Sequence, residues 1–191
     1  MLKIVMFKSY ILIFIFIFSS CTITRYVTET ERSGVEQLLI SKSIDRAIEK
    51  INEFPVKNIK IYIDIASLAP KEEIYLKKAL SHWFLKKGAI IVENKKEADL
   101  IASILVKCIG TDRLEATFGV PSLPIPFTGI MTPHVDILAM DKQKGYSEIE
   151  IVFYSTKSDS FRKKTDSLVG QANFNIFKIF LIPIYRDNIY D

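Results

Sequence analysis

The chain is poor in the residues on which most site chemistry depends. Its 191 residues include two cysteines, two histidines and one tryptophan. No Cys/His cluster has the spacing of a zinc site, so no metal is expected. No phosphate-cradling loop and no dinucleotide fingerprint occurs, and no cofactor is expected. A hydrolase needs a base beside a nucleophile. His82 and His134 each lack a nearby Ser or Cys motif, and no G-x-S-x-G is present. Paired acids of the glycosidase kind stay open as an alternative, though Asp and Glu are common enough that any chain offers candidates. The expectation is a protein that is not an enzyme. Charge is also scarce in sign: 26 basic residues stand against 22 acidic ones. That surplus is too small and too dispersed to point to nucleic acid. Internal repeats and low-complexity segments are missing as well.

What is present begins at the N-terminus. Lys3 and Lys8 form a short positive front, Tyr10 to Phe18 is an unbroken apolar run, and Ser19-Ser20-Cys21 follows. That order is the layout of a secretion signal. A run of nine residues falls well short of the roughly 20 that span a bilayer as a helix. The segment resembles a bacterial lipoprotein signal, with Phe18 and Ser20 standing where Leu and Gly or Ala are usual. The resemblance implies removal of residues 1–20 and acylation of Cys21, with palmitate among the chains. Membrane lipid would then be a partner through Cys21. Thr22 after the cysteine implies, by resemblance to enteric-type sorting, the outer membrane facing the periplasm rather than the inner membrane. With Cys21 carrying lipid, Cys108 is alone and no internal disulfide can form. Its apolar surroundings predict a buried small hydrophobe.

Residues 22–32 are polar and threonine-rich and read as a tether. Residues 33–191 read as one periplasm-facing domain, long enough for a real core. A helix is predicted from Ser33 to Phe54: Ser33 and Glu36 have capping-box spacing, and Val35, Leu38, Leu39, Ile44, Ala47, Ile48 and Ile51 recur at helical period. Ile59 to Ile65 alternates as a strand. A second helix from Lys71 to Lys87 is closed by Gly88 and buries Leu76, Ala79, Leu80, Trp83 and Phe84. Ala89 to Glu93 is a short strand, and Leu100 to Ile109, apolar on both faces, is a central one. Residues 110–133 hold three of the seven glycines and four of the seven prolines and read as a long loop. His134–Met140 and Tyr146–Ser155 read as a hairpin turning at Asp141–Gly145. Residues 156–170 read as polar turns, and Phe174–Tyr185 as a segment closing the core. The predicted fold is α+β: one mixed sheet of about five strands with two main helices on one face.

Two family resemblances follow. Asn58–Ile63, Leu80–Gly88 and Glu97-Ala-Asp99 before a long strand give residues 59–155 a loose similarity to the periplasmic α/β domain of penicillin-binding-protein activators and the curli secretion lipoprotein. Thr28–Ser33, Glu36–Leu39, Ser41 and Gly110–Arg113 before a proline-rich loop resemble an uncharacterised family of bacterial lipoproteins. The second implies an address in the cell envelope and no activity.

Two groups of residues are candidates for binding. Arg32, Glu36, Asp64, Asp112 and Arg113 are a possible polar cluster, since Arg grips a carboxylate with two parallel hydrogen bonds. Leu123, Ile125, Phe127, Ile130 and Met131 lie in the proline-rich loop. They either fold over a sheet edge as a lid or stand exposed as a sticky patch. The function expected is a membrane-anchored envelope lipoprotein that binds a protein or envelope component. The alternatives are a subunit of an oligomeric secretion or assembly complex, and a small-ligand binder or hydrolase.

Overall fold

A computed structural model describes residues 21–27 (backbone path), 32–52, 54–127, 129–180 and 182–190. The signal segment 1–20 lies outside the described residues. In chain order the elements are β1 (Cys21–Val27), α1 (Gly34–Glu49), β2 (Lys60–Ser67), α2 (Pro70–Lys86), β3 (Ile90–Ile91), β4 (Leu100–Val120), β5 (Val135–Ser155), β6 (Phe161–Lys164), β7 (Leu168–Ile179) and β8 (Ile182–Asp187). The strands form one eight-stranded sheet in the order β3-β2-β4-β5-β7-β8, with β1 also on β4 and β6 also on β5. β2 runs parallel to β3 and to β4, Ile61 lying opposite Leu100 and Ser67 opposite Val106. β6 is antiparallel to β5. The fold is the mixed α+β class that the pattern predicts, with more strands. Backbone contacts divide the described chain into a helix-bearing unit (residues 27–112, 143–174 and 187–191) and a β unit (21–26, 113–142 and 175–186).

In the helix-bearing unit, α1 starts where its capping box places it. The Ser33 hydroxyl accepts from Glu36 N–H at 3.3 Å, and the Glu36 carboxylate accepts from Ser33 N–H at 2.8 Å. Leu39, Ile44, Ala47 and Ile48 are buried, as is Ile40, while Leu38 is 39% exposed. The helix stops at Glu49, short of Phe54. Lys50 N–H closes on the Ala47 and Ile48 carbonyls, and the chain then turns inward to bury Val56 and stack Phe54 on Phe153 at 4.7 Å. Another helical turn would forfeit both contacts. α2 opens on Pro70 and presents Leu76, Leu80 and Phe84, all at 0% exposure, to the core. Gly88 takes φ +84° just past its end, a backbone state that glycine adopts without steric cost.

The sheet reaches very close to α1. A Cβ on Gly145 would lie 2.2 Å from the Leu39 carbonyl oxygen, and one on Gly170 would lie 1.8 Å from that of Ser43. The Ser147 hydroxyl donates to the same Ser43 oxygen at 2.7 Å. Arg46 donates to the Gln171 carbonyl at 2.8 Å and to that of Asn188, and Lys50 Nζ donates to that of Val169 at 2.7 Å. These contacts correct two expectations. Gly145 is not the turn of a hairpin: β5 is continuous from Val135 to Ser155, and the glycine sits mid-strand because only a bare Cα fits under the helix. Gly170 is likewise inside β7. β6 also emerges from the stretch read as turns.

Four further expectations are corrected. Cys108 is exposed. Leu100, Ala102, Ile104 and Val106 are buried in alternation, then Lys107 and Cys108 both face out before Ile109 is buried. The alternation changes phase there, as it does wherever a strand takes up an extra residue. The loop 110–133 is shorter than expected, because β4 continues to Val120. Of Phe174–Tyr185 only the start meets a core, where Phe174 packs beside Leu39, Ala172 and Ile189; Ile179, Phe180, Ile182, Ile184 and Tyr185 are 48–68% exposed. Residues 22–27, read as tether, are strand β1.

In the β unit, Arg113–Val120 of β4, Val135–Lys142 of β5, Asn175–Ile179 of β7 and most of β8 form a sheet fragment. Its tip is a tight turn in which Ile125 N–H donates to the Ile130 carbonyl and Thr132 N–H to that of Leu123, each at 2.8 Å. Not one of the unit's described side chains is buried.

Two measurements check this architecture. Gly145→Ala and Gly170→Ala should each lower stability by about 1–3 kcal/mol, the usual cost of overpacking against groups that cannot yield. Gly34→Ala, with nothing within 4 Å of the added atom, should cost nothing in the same urea titration. Cys108 should react with a maleimide in the native protein about as fast as in the unfolded chain; protection until unfolding would contradict its exposure.

Candidate functional site

The residues proposed as one polar cluster take separate partners. The Arg32 guanidinium engages Glu72, which is only 5% exposed. Glu36 is used by the capping box. Asp64 stands exposed on β2, opposite Ser103, and Asp112 is exposed on β4. Arg113 makes the two-pronged grip expected of it, but its carboxylate is Asp141: Nε donates to Oδ1 at 3.1 Å and Nη2 to Oδ2 at 2.8 Å. Glu115 flanks the same guanidinium. Sequence spacing could not name Asp141, because it was read as part of a turn rather than a strand position across from β4.

Two polar sites emerge in the helix-bearing unit that sequence reading missed. On the sheet face away from the helices, Lys107 Nζ lies 3.4 Å from Glu148 and 3.5 Å from Glu150, and Lys164 lies 2.9 Å from Glu150. Ser167 donates to Glu148, and the Tyr146 hydroxyl does so at 2.8 Å. The Ser167 hydroxyl, then that of Tyr146, holds the Glu148 carboxyl below its ordinary range. Lys164 does the same for Glu150. The alternation Tyr146, Glu148, Glu150 was a signal for this face; Lys164 and Ser167 lay in a stretch read as turns.

Between the helices, the Tyr75 hydroxyl donates to Asp45 at 3.0 and 3.2 Å. Burial, and after it the Asp45 charge, pushes the Tyr75 phenol up to about 12, and burial raises Asp45. A shallow groove here of about 440 Å³ also carries Lys78, His82 and Lys86. It offers polar contacts, but His82 is exposed and no Ser or Cys in the lining could serve as its nucleophile. His134 pairs with Asp136 at 2.6 Å in the other unit. Among the described residues no group of His, Cys, Asp and Glu could hold a metal ion.

The apolar loop residues stand out in water. Leu123 is 53%, Ile130 62% and Phe127 108% exposed, so these side chains do not close over a sheet edge as a lid. In the same unit a groove of about 630 Å³ is lined by Ala116, Phe118, Leu138, Met140, Phe177, Ile179 and Ile184, with Lys178 and Arg186 beside them. No described helix is long and apolar enough to cross a membrane.

The lowered carboxyls set an acid limb. A group whose folded pKa lies below its ordinary value (4.5 for Glu) stabilises the fold above that value and loses the contribution as pH falls through the folded one. The urea midpoint of the wild type should therefore drop as pH is taken from 5 toward 3, and Glu148→Gln should flatten that fall. The raised Tyr75 phenol acts in the opposite sense: its contribution is complete below pH 10 and is lost as pH climbs through about 12. Tyr75→Phe should remove that alkaline loss.

None of the curated proteins matches this sequence. A family model does match, over residues 21–139, a span that opens at Cys21 and takes in α1, the parallel strands, β4, the apolar turn and the start of β5. With most of its length so matched, the chain belongs to the family of unknown function DUF6655.

Proposed function

We propose that this protein is a cell-envelope lipoprotein, held at a membrane through an acylated Cys21, that acts by binding a protein or envelope component rather than by catalysis. The outer membrane, facing the periplasm, is the proposed location. The order of charge, apolar run and cysteine at the N-terminus supports the anchor, as does a family match opening at Cys21. The observation that carries the binding role is the β unit: its apolar side chains, Phe127 foremost, face outward, and none of its described residues is buried. A folded surface of that kind is stable in water only at a cost that contact with another body removes.

A second reading, a subunit of an oligomeric envelope assembly, is favoured by β8. This strand ends the sheet order and carries exposed Ile182 and Ile184, and an apolar strand edge is a template for pairing with another chain.

Cells fed labelled palmitate test the anchor. The wild-type protein should carry label and Cys21→Ala should carry none; an unlabelled wild type ends the anchor reading. Sedimentation of the detergent-solubilised protein as a monomer at high concentration would end the oligomer reading.

A further inference from the structure

The β unit differs from an ordinary wetted sheet in how its residues are sorted. Arg113 and Asp141 meet across β4 and β5, which puts them on one face. Side chains alternate along a strand, so Leu114, Ala116 and Phe118 share the other face with Met140 and Leu138. Four of these five line the apolar groove, with Thr117 and Ala139 between them at its margin, and Phe177 and Ile179 of β7 extend it. The face is apolar without a covering layer: Leu114 is 38%, Leu138 49% and Ile179 48% exposed.

The unit's charges are sorted too. Glu115 and Asp141 are engaged by Arg113, and Asp136 pairs with His134. Beside the apolar side chains, Arg186 lines the groove and Lys142 lies 5.9 Å over the Phe177 ring; the one acidic residue in step with Leu138 and Met140 is Asp136, which the His134 pair occupies. Cys21 opens β1, which is hydrogen-bonded to β4, and residues 21–26 belong to this same unit.

We propose that the β unit docks on the bilayer surface, its apolar face and turn set among the acyl chains and its basic border against anionic headgroups. This deepens the binding role proposed above by naming the bilayer as the envelope component. Charge decides between the bilayer and a second copy. An isologous contact would set the same patch against itself, gathering Lys142 and Arg186 of both copies into one interface with no acidic patch to meet them, whereas anionic lipid neutralises them. The unit lies in the interface rather than crossing it, because a spanning sheet must close to satisfy its edges, and β8 ends this one. A single acyl chain holds a protein only marginally, and a second membrane contact makes attachment firm. Chains on Cys21 would enter the bilayer at the start of a strand of the docking sheet.

The test uses the full-length gene product, purified from its own membranes and placed in phosphatidylcholine–phosphatidylglycerol vesicles with brominated acyl chains. Trp83, the single native tryptophan, lies in α2 of the helix-bearing unit and reports contact there. Phe127→Trp and Leu138→Trp add reporters at two exposed positions of the β unit, where replacement disturbs no buried packing. The emission added at each position should fall severalfold relative to unbrominated vesicles, with Trp83 unchanged. Quenching at neither added position, or equal quenching of Trp83, overturns the proposal. Quenching at Phe127 alone confines contact to the turn and overturns the docking of the sheet face. If quenching fails and the protein sediments as a dimer, the face belongs to a second copy. Quenching reads the β unit and palmitate label reads Cys21, so either proposal can fail without the other.

Discussion

The helix-bearing unit depends on the approach of α1 to the sheet. Backbone meets backbone at Gly145 and Gly170, where any Cβ would overlap the carbonyls of Leu39 and Ser43. That closeness lets Ser147 reach the Ser43 carbonyl and lets Arg46 and Lys50 reach carbonyls of β7. Exposed strand carbonyls are thereby satisfied by side chains of the packed helix, one of the ways a sheet margin is protected from adventitious pairing. The burial of Leu39, Ile44, Ala47 and Ile48 follows from the same placement, and interiors packed this tightly have little tolerance for added atoms.

The two units make different use of apolar residues. In the helix-bearing unit, Phe84, Phe153, Leu76, Leu80, Ile61 and Ile104 are all but sealed from water, and the few buried polar residues are small hydroxyls and Glu72, with Ser147 bonded to the Ser43 carbonyl and Glu72 to Arg32. In the β unit, leucine, isoleucine, methionine and phenylalanine are more frequent still, yet none is buried among the described residues. A core explains the first. The second has the composition of a core without its geometry, which is why the proposed binding role rests on it rather than on the polar groove beside Tyr75.

Much of the fold was legible because local rules sufficed. Ser33 with Glu36, Pro70 with Gly88, and the alternation of Ile61 and Ile63 each express a physical preference that acts within a few residues. Errors arose where one residue type serves two purposes. Asp141–Gly145 looks like a turn because glycine is the usual turn residue; its glycine instead makes room for Leu39 of α1, which lies far outside any local reading window. Phe174–Tyr185 looks like core because apolar runs usually are. The candidate sites fared unevenly for the same reason: Arg113 was identified as a carboxylate grip, but its partner Asp141 depended on strand pairing, and the network of Lys107, Glu148, Glu150, Lys164 and Ser167 joins segments far apart in the chain.

From residue order alone came the signal layout ending at Cys21, the two helices with their caps, the strands at 59–65 and 100–109 and the α+β class, since capping, periodicity and turn chemistry are short-range. Tertiary structure decided that β4 and β5 run unbroken for 21 residues each, that Cys108 and Phe127 face outward, and that Asp141 holds Arg113. Those outcomes turn on which surfaces find a partner across the sheet, and burial is a property of contacts between distant residues, not of the residues themselves.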